Sequence, residues 1–338
     1  MDGLLQDKLR ELGDLDLAIL VSLTSGQHCI FSSGPQTTRD LRDELRLTCT
    51  ETFGMQAAVV DCSSKTTVDQ FSEALLVDVI DDFEDAVERR DDPVDLSWAR
   101  HRSQSPGRFG SLGHALDDRR IADVVIAHHL DRTGTNVQVQ TLELLRTKRI
   151  FTRTSMHMAP KAFLFVVVLS RPDARLSHHL HDMFAMSHFH AQEDGLPHLE
   201  GTLERTASPL FSTEDIKDLR SRTGQVRLTG EVAAFLHNIV VFMRMSRYVK
   251  GGVTAAATRH LRAVALALAP LHGLDYVPPS LIALAARKVY PHRLVLATAE
   301  TERSLQWGSD PEAVREMLEG MKAEDVIEDV LGSVETPL

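Results

Sequence analysis

Residues 124–150 read VVIAHHLDRTGTNVQVQTLELLRTKRI, and this stretch predicts a strand, a turn and a helix in succession. Its first four residues, Val124–Ala127, form a short apolar run of the kind found in buried strands. A polar turn follows, and residues 137–147 then carry apolar side chains at helical spacing. Two imidazoles, His128 and His129, stand where the strand ends. The stretch is therefore typical of an α/β protein, with histidines at the carboxyl end of a buried strand.

Similar units precede and follow this stretch. Strands are predicted at His28–Phe31, Ala57–Asp61 and Phe163–Leu169, the last being a continuous apolar run of the type buried in parallel sheets. Helices are predicted over residues 4–23 (as one helix or two), 40–53, 68–87 and 137–147. The alternation of strands and helices over residues 17–190 predicts an α/β layer fold with a parallel sheet.

The pattern changes to helices alone from about Ser212. Ser212 is a good helix cap, and Glu214 and Asp215 place acidic groups in the first turn. Further helices are predicted over residues 229–242, 254–268, 278–289, 310–318 and 323–331. The expected domains are an α/β core at 1–211 and an all-α domain at 212–338. Within the core, residues 88–118 are charged and rich in Pro, Gly and Ser, which predicts a long surface loop or insertion.

Composition excludes several classes of protein. The 338 residues carry a formal net charge of −11, which argues against a general nucleic-acid binder. The three cysteines match no common zinc or redox spacing and suit a reducing compartment. Met1–Arg10 does not resemble a signal peptide, and the longest apolar run, Ala162–Leu169, is too short to cross a bilayer. We expect a soluble intracellular protein, cytoplasmic or nuclear, without a membrane partner.

The order of these segments resembles the AAA+ proteins of the MoxR and magnesium-chelatase I-subunit group, and most closely the magnesium-chelatase-like proteins of fungi. Residues 124–150 align without a gap on the family's Walker B strand and following helix, with Arg132, Val137 and Gln138 on matching residues. The other similar segments are Ala18–Asp40 (the phosphate-loop unit), Pro160–Pro172 (sensor 1), Gly273–Pro279 and His292–Leu294 (lid). The resemblance implies a P-loop NTPase-like AAA+ core with a parallel sheet, followed by a helical lid.

The phosphate loop departs from the family pattern. Such a loop needs glycines, whose backbone N–H groups wrap the phosphates, and a lysine that meets the β and γ charges. Here residues 33–40 read SGPQTTRD, so the loop is shortened and the Lys-Thr pair is absent. The remaining candidates for weak nucleotide binding are Gly34, Thr37, Thr38 and Arg39. Arg39 could reach a phosphate, although Asp40 beside it would repel one.

Four further positions lack the residues that the resemblance would require. His128 and His129 replace the Asp that would hold Mg²⁺ and the Glu that would polarise water, and imidazoles suit Mg²⁺ poorly. Arg171 follows Ser170 where a sensor 1 Asn would orient the attacking water. Met183 stands at the arginine-finger position of the Asp182-Met183-Phe184 segment. The sensor 2 arginine would fall near Ala255 or Ala256.

These losses favour a catalytically degenerate protein, because each missing electrostatic group is worth roughly 10²–10⁵ in rate. We expect no ATP hydrolysis by the standard route, no catalytic residue, no bound metal and no required cofactor; weak binding of ATP and Mg²⁺ stays open. The predicted role is a non-hydrolysing scaffold, or an assembly or regulatory subunit, with protein partners. An ATP-dependent ring is not expected. The alternative is an ATP-binding ATPase of the magnesium-chelatase or MoxR type that remodels proteins or assists metal insertion.

The histidines and one basic segment give weaker indications of function. Zinc could use the spacings His178/His181 and His188/His190, or a metal-binding enzyme could have reused His128 and His129. Structural histidines are the favoured interpretation, since no cysteine lies nearby and neighbours on a strand point to opposite faces. The cations Arg146, Lys148, Arg149 and Arg153 could face an anionic partner, and a solvated helix end is the simpler reading.

Overall fold

Continuous apolar runs form the centre of a parallel sheet in the computed structural model, which describes residues 2–78, 119–153, 155–201 and 208–337. The predicted insertion at 88–118 lies outside the described residues. In chain order the helices are α1 (Asp2–Arg10), α2 (Asp14–Ser25), α3 (Thr38–Leu47), α4 (Val68–Ala74), α5 (Thr135–Thr147), α6 (His178–His181), α7 (Thr213–Gln225), α8 (Gly230–Met245), α9 (Ala255–Leu271), α10 (Pro279–Val289), α11 (Pro311–Leu318) and α12 (Ala323–Ser333). The strands are β1 (His28–Ser32), β2 (Ala57–Asp61), β3 (Leu76–Val77), β4 (Arg120–Ile121), β5 (Val124–His128), β6 (Arg149–Phe151), β7 (Met156–Met158), β8 (Leu164–Leu169), β9 (Phe184–Phe189), β10 (Val249–Gly251) and β11 (Val295–Leu296).

The main sheet has five parallel strands in the order β2-β5-β8-β1-β9. Every residue of β5 and β8 is buried, as expected for strands covered on both faces. All carboxyl ends of these strands meet at one edge of the sheet, called here the carboxyl edge, and the opposite side is the amino edge. The predicted α/β class with a parallel sheet is confirmed.

Alternate side chains of the strands feed two hydrophobic clusters. One face, with Phe31 and Val166, joins α2 and the later helices in a single continuous core. The other face, with Ile30 and Val167, packs against α4, α5 and α6. The helices after Ser212 therefore share a core with the α/β part, and α9 packs against α2, α7 and α10.

Several local predictions differ from the structure. The helix predicted over 68–87 begins at Val68 as expected, but its predicted length is wrong. The helix α4 ends at Ala74, and β3 follows and pairs with β4, a tertiary contact that local periodicity does not reveal. Residues 79–87 lie outside the described residues. Beyond Ser212 the fold is not purely helical, because β10 and β11 pair as an antiparallel ribbon. The hairpin of β6 and β7 was also not predicted, since each strand has only three residues.

Two features of the structure relate to the predictions of no membrane span and of a reducing compartment. They are the character of the helices and the state of the cysteines. Within the described ranges, no helix combines the length and apolar character that crossing a bilayer requires. Cys29, Cys49 and Cys62 are all buried as free thiols. Burial raises the pKa of Cys29 to about 12, so this thiol is a core group and not a nucleophile.

Candidate functional site

The carboxyl edge of the sheet collects most of the predicted site residues. The loop with Gly34, Thr37, Thr38 and Arg39 follows β1, His129 follows β5, and Arg171 follows β8 by two residues. Backbone hydrogen bonds join these chain ends: the amide of Ser33 donates to Leu169 O at 3.3 Å, and that of His129 donates to Val168 O at 3.0 Å. Met183 is not brought to this edge, because it precedes β9 and so lies at the amino edge.

The loop after β1 is closed on itself. The Thr38 hydroxyl donates to Gly34 O at 2.8 Å, and the Thr37 hydroxyl donates to the same oxygen at 3.2 Å. The Thr37 amide makes a third bond to it at 3.1 Å. Both hydroxyls that could have met a phosphate or a metal are therefore already used within the loop.

The backbone of this loop also lacks the shape of a phosphate cradle. Such a cradle alternates right-handed and left-handed residues so that successive N–H groups converge. Among the described residues, positive φ angles occur at eight glycines and at His129 and Lys148, and none lies between Ser33 and Thr38. A Cβ added at Gly34 would meet only the Thr37 hydroxyl, at an ordinary 3.7 Å. Nothing here requires a close backbone approach. Arg39 is exposed, with no ion-pair partner in the described ranges.

His128 is held in an ionic chain at the end of β5. Its Nδ1 lies 2.9 Å from Asp61 Oδ1 at the end of the neighbouring strand β2. Arg42 on α3 donates to both oxygens of Asp61, at 2.7 and 2.9 Å. Because a carboxylate only accepts, Nδ1 of His128 carries the proton and Nε2 is an acceptor. Burial alone would raise the pKa of Asp61, but the hydrogen bonds from Arg42 and His128 hold it below its usual range.

Asp61 is the residue of this edge that the sequence reasoning missed. It is a carboxylate beside the Walker B position, and so it could be mistaken for a metal ligand. Its negative charge is compensated by the Arg42 guanidinium, whose pKa is raised chiefly by its hydrogen bond to Asp43. The only available signal was that Asp61 ends a predicted strand, since Arg42 and His128 are 19 and 67 positions away in sequence.

His129 turns back over His128 and does not point away from it. A left-handed backbone (φ 58°) places the two rings 3.8 Å apart at an interplanar angle of 32°. The expectation that these neighbours face opposite sides of the strand is therefore wrong, because the strand ends between them. Burial lowers the pKa of His128, and burial followed by the neighbouring His128 lowers the pKa of His129 to about 4. Both rings are thus neutral at pH 7, and His128 Nε2, His129 Nδ1 and Asp131 Oδ1 are buried without hydrogen-bond partners.

In the described ranges, no group of three or more His, Cys, Asp or Glu side chains is arranged to hold a metal ion. At the sensor 1 position Ser170 is buried and accepts a long bond from Arg132, at 3.5 Å. Arg171 points to solvent and pairs loosely with Asp173 at 3.7 Å. Neither Ser170 nor Arg171 has the side-chain amide with which a sensor 1 Asn would orient a water molecule.

Comparison with known proteins identifies the architecture. Residues 241–317 match the AAA lid domain. A proposed ATPase from Cytophaga hutchinsonii has a similar structure, with a TM-score of 0.65 at 14% identity, over 99% of this chain and 94% of that one. The chain has an AAA+ fold. An uncharacterised protein from Bacillus subtilis, YeaC, is 25% identical over 231 residues, which cover 64% of this chain and 67% of YeaC.

The junction between the AAA+ core and its lid is built from the segment around Met183. Asp182 pairs with Arg293 of the lid, and Arg293 also donates to the backbone oxygens of Asp182 (3.1 Å) and Phe184. The Thr254 hydroxyl, which caps α9, donates to the same Asp182 carboxylate at 2.7 Å. The resemblance would place an arginine finger and a sensor 2 arginine in these two segments. In this chain the segments instead bind the lid to the core.

The clustered histidines serve the same junction and the core. The side chain of His181 contacts His292 O at 2.7 Å, and His292 Nε2 contacts Phe184 O at 3.1 Å. Burial lowers the pKa values of His181 and His188 to about 4 each, so both are neutral core groups. His198 differs, because it lies between Asp16 (3.7 Å) and Glu51 (3.4 Å), and the hydrogen bond to Asp16 raises its pKa.

The basic run after α5 does not form one surface. Arg146 and Arg149 are exposed, and Arg153 pairs with Asp69. Lys148 turns inward, where its Nζ lies 3.0 Å from His28 Nε2 at the amino edge of the sheet. The prediction of a solvated helix end therefore applies to only part of this basic segment, because Lys148 points inward.

Proposed function

We propose that this chain is a catalytically degenerate AAA+-fold protein that acts as a non-hydrolysing scaffold or as an assembly or regulatory subunit. The observation that carries the proposal is that His128, at the end of β5, and Arg42 both donate to the Asp61 carboxylate. ATP hydrolysis in this fold needs an oxygen ligand for Mg²⁺ and a base near the γ-phosphate. The first position here is a neutral imidazole whose proton is already donated, and the nearest carboxylate already has a cationic partner.

Two further features support the same proposal. The hydroxyls of Thr37 and Thr38 are directed at Gly34 O, so binding a phosphate there would require this loop to open. Met183 is partly buried against the core and offers no charge to a neighbouring subunit. The described residues at these positions therefore do not supply the groups needed to use the chain's own nucleotide site or to complete a neighbour's. Its function then depends on protein partners that bind without a nucleotide cycle.

The proposal is tested by hydrolysis and binding measured together. ATP and ADP are titrated calorimetrically into the purified chain with and without Mg²⁺, and phosphate release is followed in parallel. We expect no binding tighter than millimolar and no Mg²⁺-dependent phosphate release above the blank. Sedimentation should show the same assembly state with and without Mg·ATP.

An Arg39→Ala variant supplies the control. Phosphate release that co-purifies with the chain and disappears in Arg39→Ala would refute the proposal, because it would show that a loop residue handles the phosphates. Micromolar ATP binding without hydrolysis, lost in the same variant, would instead indicate a nucleotide sensor and restrict the degeneracy to the chemical step.

A further inference from the structure

Lys148 lies at the amino edge of the sheet, on the side opposite the carboxyl edge and its candidate site. It ends α5 in a left-handed conformation (φ 57°), with its amide bonded to Leu144 O at 2.8 Å. This turn directs the side chain towards the amino edge of the sheet, where Nζ lies 3.0 Å from His28 Nε2. His28 begins β1 and is buried. A lysine amine is thus placed against an imidazole that solvent does not reach.

The hydrogen bonds of His28 determine the protonation state of this pair. The backbone amide of Phe165 donates to His28 Nδ1 at 3.0 Å, so Nδ1 carries no proton. A neutral imidazole then carries its proton on Nε2, the atom that faces Lys148. An ammonium group has no lone pair and could not accept that proton, whereas a neutral amine can. The geometry therefore selects Lys148 as –NH₂, which accepts a hydrogen bond from His28.

The charges around Lys148 act in the same direction. Burial lowers the pKa of Lys148, and the nearby charge of Arg220 lowers it further. Arg220 uses Nε on Leu23 O (2.7 Å) and Nη1 on Lys161 O (3.4 Å). In the described ranges, neither Lys148 nor Arg220 has a carboxylate partner.

Two other neighbours complete the surroundings. His260 acts electrostatically on His28, whose pKa is lowered well below its usual value, chiefly by burial. The ring of Phe163, 5.2 Å from Nζ, is the group that favours the ammonium form. Burial, the His28 proton and the Arg220 charge oppose this single aromatic contact and together favour the neutral amine.

We propose that Lys148 is a carbamylation site, where the neutral Nζ adds to carbon dioxide and Arg220 holds the resulting carbamate. The hydrogen bond from His28 first breaks, which frees the amine lone pair. The lone pair then attacks the carbon of CO₂, a C–N bond forms, and one C=O electron pair moves to oxygen. Loss of one proton from nitrogen to solvent leaves –NH–COO⁻, so the balance is amine plus CO₂ giving carbamate plus H⁺. The two new oxygens can accept from the free Nη2 of Arg220 and from the Nε2–H of His28.

Carbon dioxide fits these surroundings better than a carbonyl compound does. An aldehyde would give an imine that becomes cationic on protonation, which would place a second positive charge beside Arg220. A carbamate is an anion, and it gives Arg220 the negative partner that it lacks. CO₂ is also small and apolar enough to enter a half-buried position without a dedicated cavity. This inference does not depend on the proposed function, because the site lies at the opposite edge of the sheet.

The experiment is ¹³C NMR of the full chain equilibrated with ¹³C-bicarbonate near pH 8. We expect a protein carbamate resonance in the native chain that is absent in Lys148→Arg, which keeps a long side chain but has no nucleophilic amine. Lys161→Arg, at a nearby exposed lysine, should retain the resonance. The α-amino group, with a pKa of about 7.7–8.0, can add a second resonance, which is common to all three proteins. Arg220→Gln should reduce the occupancy of the Lys148 carbamate several-fold.

A second measurement decides the question even if Lys148→Arg does not fold. The ¹³Cε and ¹⁵Nζ shifts of Lys148 in the native chain report directly on whether Nζ is an amine at pH 8. Neutral-amine shifts together with the carbamate resonance support the proposal. An ammonium titrating at the ordinary lysine pKa of about 10.4, or identical ¹³CO₂ spectra for native chain and Lys148→Arg, would overturn it.

Discussion

Replacing Arg293 with methionine tests how strongly the lid is bound to the core. The Arg293 side chain is 2% exposed, and its partners are the Asp182 carboxylate, two backbone oxygens and His260 Nδ1 at 2.6 Å. Methionine has a similar length and is apolar, so Arg293→Met removes the charge and the donors and leaves most of the packing volume. The partners that lose a donor are then Asp182, Phe184 O and His260.

The expected loss of unfolding free energy depends on which hydrogen bonds those partners keep. Breaking a buried ion pair on one side costs about 3–5 kcal/mol when the other charge is left without compensation. Here Asp182 keeps the Thr254 hydroxyl at 2.7 Å, its side chain is 26% exposed, and Phe184 O keeps its contact with His292. We therefore expect the low end of that range, roughly 3 kcal/mol. With a urea m-value of about 3 kcal/mol/M, the midpoint should fall by about 1 M.

Urea denaturation followed by circular dichroism measures this loss, and a second lid arginine supplies the matched control. Arg287 also pairs with a carboxylate, Glu328 (2.5 and 2.8 Å), but both side chains are about half exposed, at 47% and 54%. Arg287→Met should therefore cost below about 1 kcal/mol. The double variant Arg293→Met/Asp182→Leu should recover part of the stability lost in Arg293→Met, because it leaves no uncompensated charge.

Two outcomes would refute this reasoning. If Arg293→Met lowers the free energy of unfolding no more than Arg287→Met does, the junction is not held by the buried ion pair. If the double variant is as unstable as the sum of its two single variants, the two side chains are not energetically coupled. Either result would remove the argument that the Asp182-Met183-Phe184 segment has a structural role in this chain.

Two further predictions concern the same region and the buried histidines. Gly252→Ala should destabilise far more than Gly308→Ala: both have positive φ (99° and 85°), but only at Gly252 would the new Cβ lie 2.0 Å from a backbone oxygen, that of Arg293. Equal losses in urea denaturation would contradict this. Burial lowers the pKa values of His181 and His188 from 6.5 to about 4, so their stabilising contribution is complete above pH 6.5 and lost as pH falls towards 4. The free energy of unfolding should drop by roughly 2 kcal/mol or more between pH 7 and 5, with a flatter profile in His188→Gln. A pH-independent profile would contradict it.

The strands of the sheet could be predicted because burial on both faces leaves a local signature. The predicted Ala57–Asp61 has the bounds of β2, and the predicted 163–169 differs from β8 by one residue. The starts of three helices could also be predicted from local sequence. Each has a capping hydroxyl, of Ser212, Thr229 or Thr254, that accepts a hydrogen bond from the backbone amide three positions later. Where the outcome depended on distant pairing, as for β3 with β4, periodicity predicted a helix that continues past Ala74, where the structure has a strand at Leu76–Val77.

The candidate site could be located from the sequence, but its internal contacts could not. Chain order places the loop after β1 and the histidines after β5 at one sheet edge, because the strands are parallel. The pairing of His128 with Asp61, and of Lys148 with His28 across 120 positions, depends on strand order and on two left-handed residues. Neither His129 nor Lys148 is a residue type that marks a positive φ strongly, so the ring stacking and the inward lysine had no sequence signal.

At the end of β5, the side chain that stands where the resemblance places an ATP-handling residue already makes a contact, so introducing that residue should break it. His128→Asp would return a carboxylate to the end of β5, within hydrogen-bond distance of Asp61, where the imidazole Nδ1 now lies at 2.9 Å. Two adjacent carboxylates sharing Arg42 cannot both stay ionised without cost. We expect His128→Asp to lose about 1–3 kcal/mol of unfolding free energy at pH 7 and to gain no ATPase activity. Asp61→Asn in the same background should restore much of the stability, as measured by urea denaturation. A His128→Asp variant that is as stable as the native chain would show that the ionic chain through Asp61 contributes nothing to this edge, and one that hydrolyses Mg·ATP would show that the closed loop after β1 can still open for a phosphate.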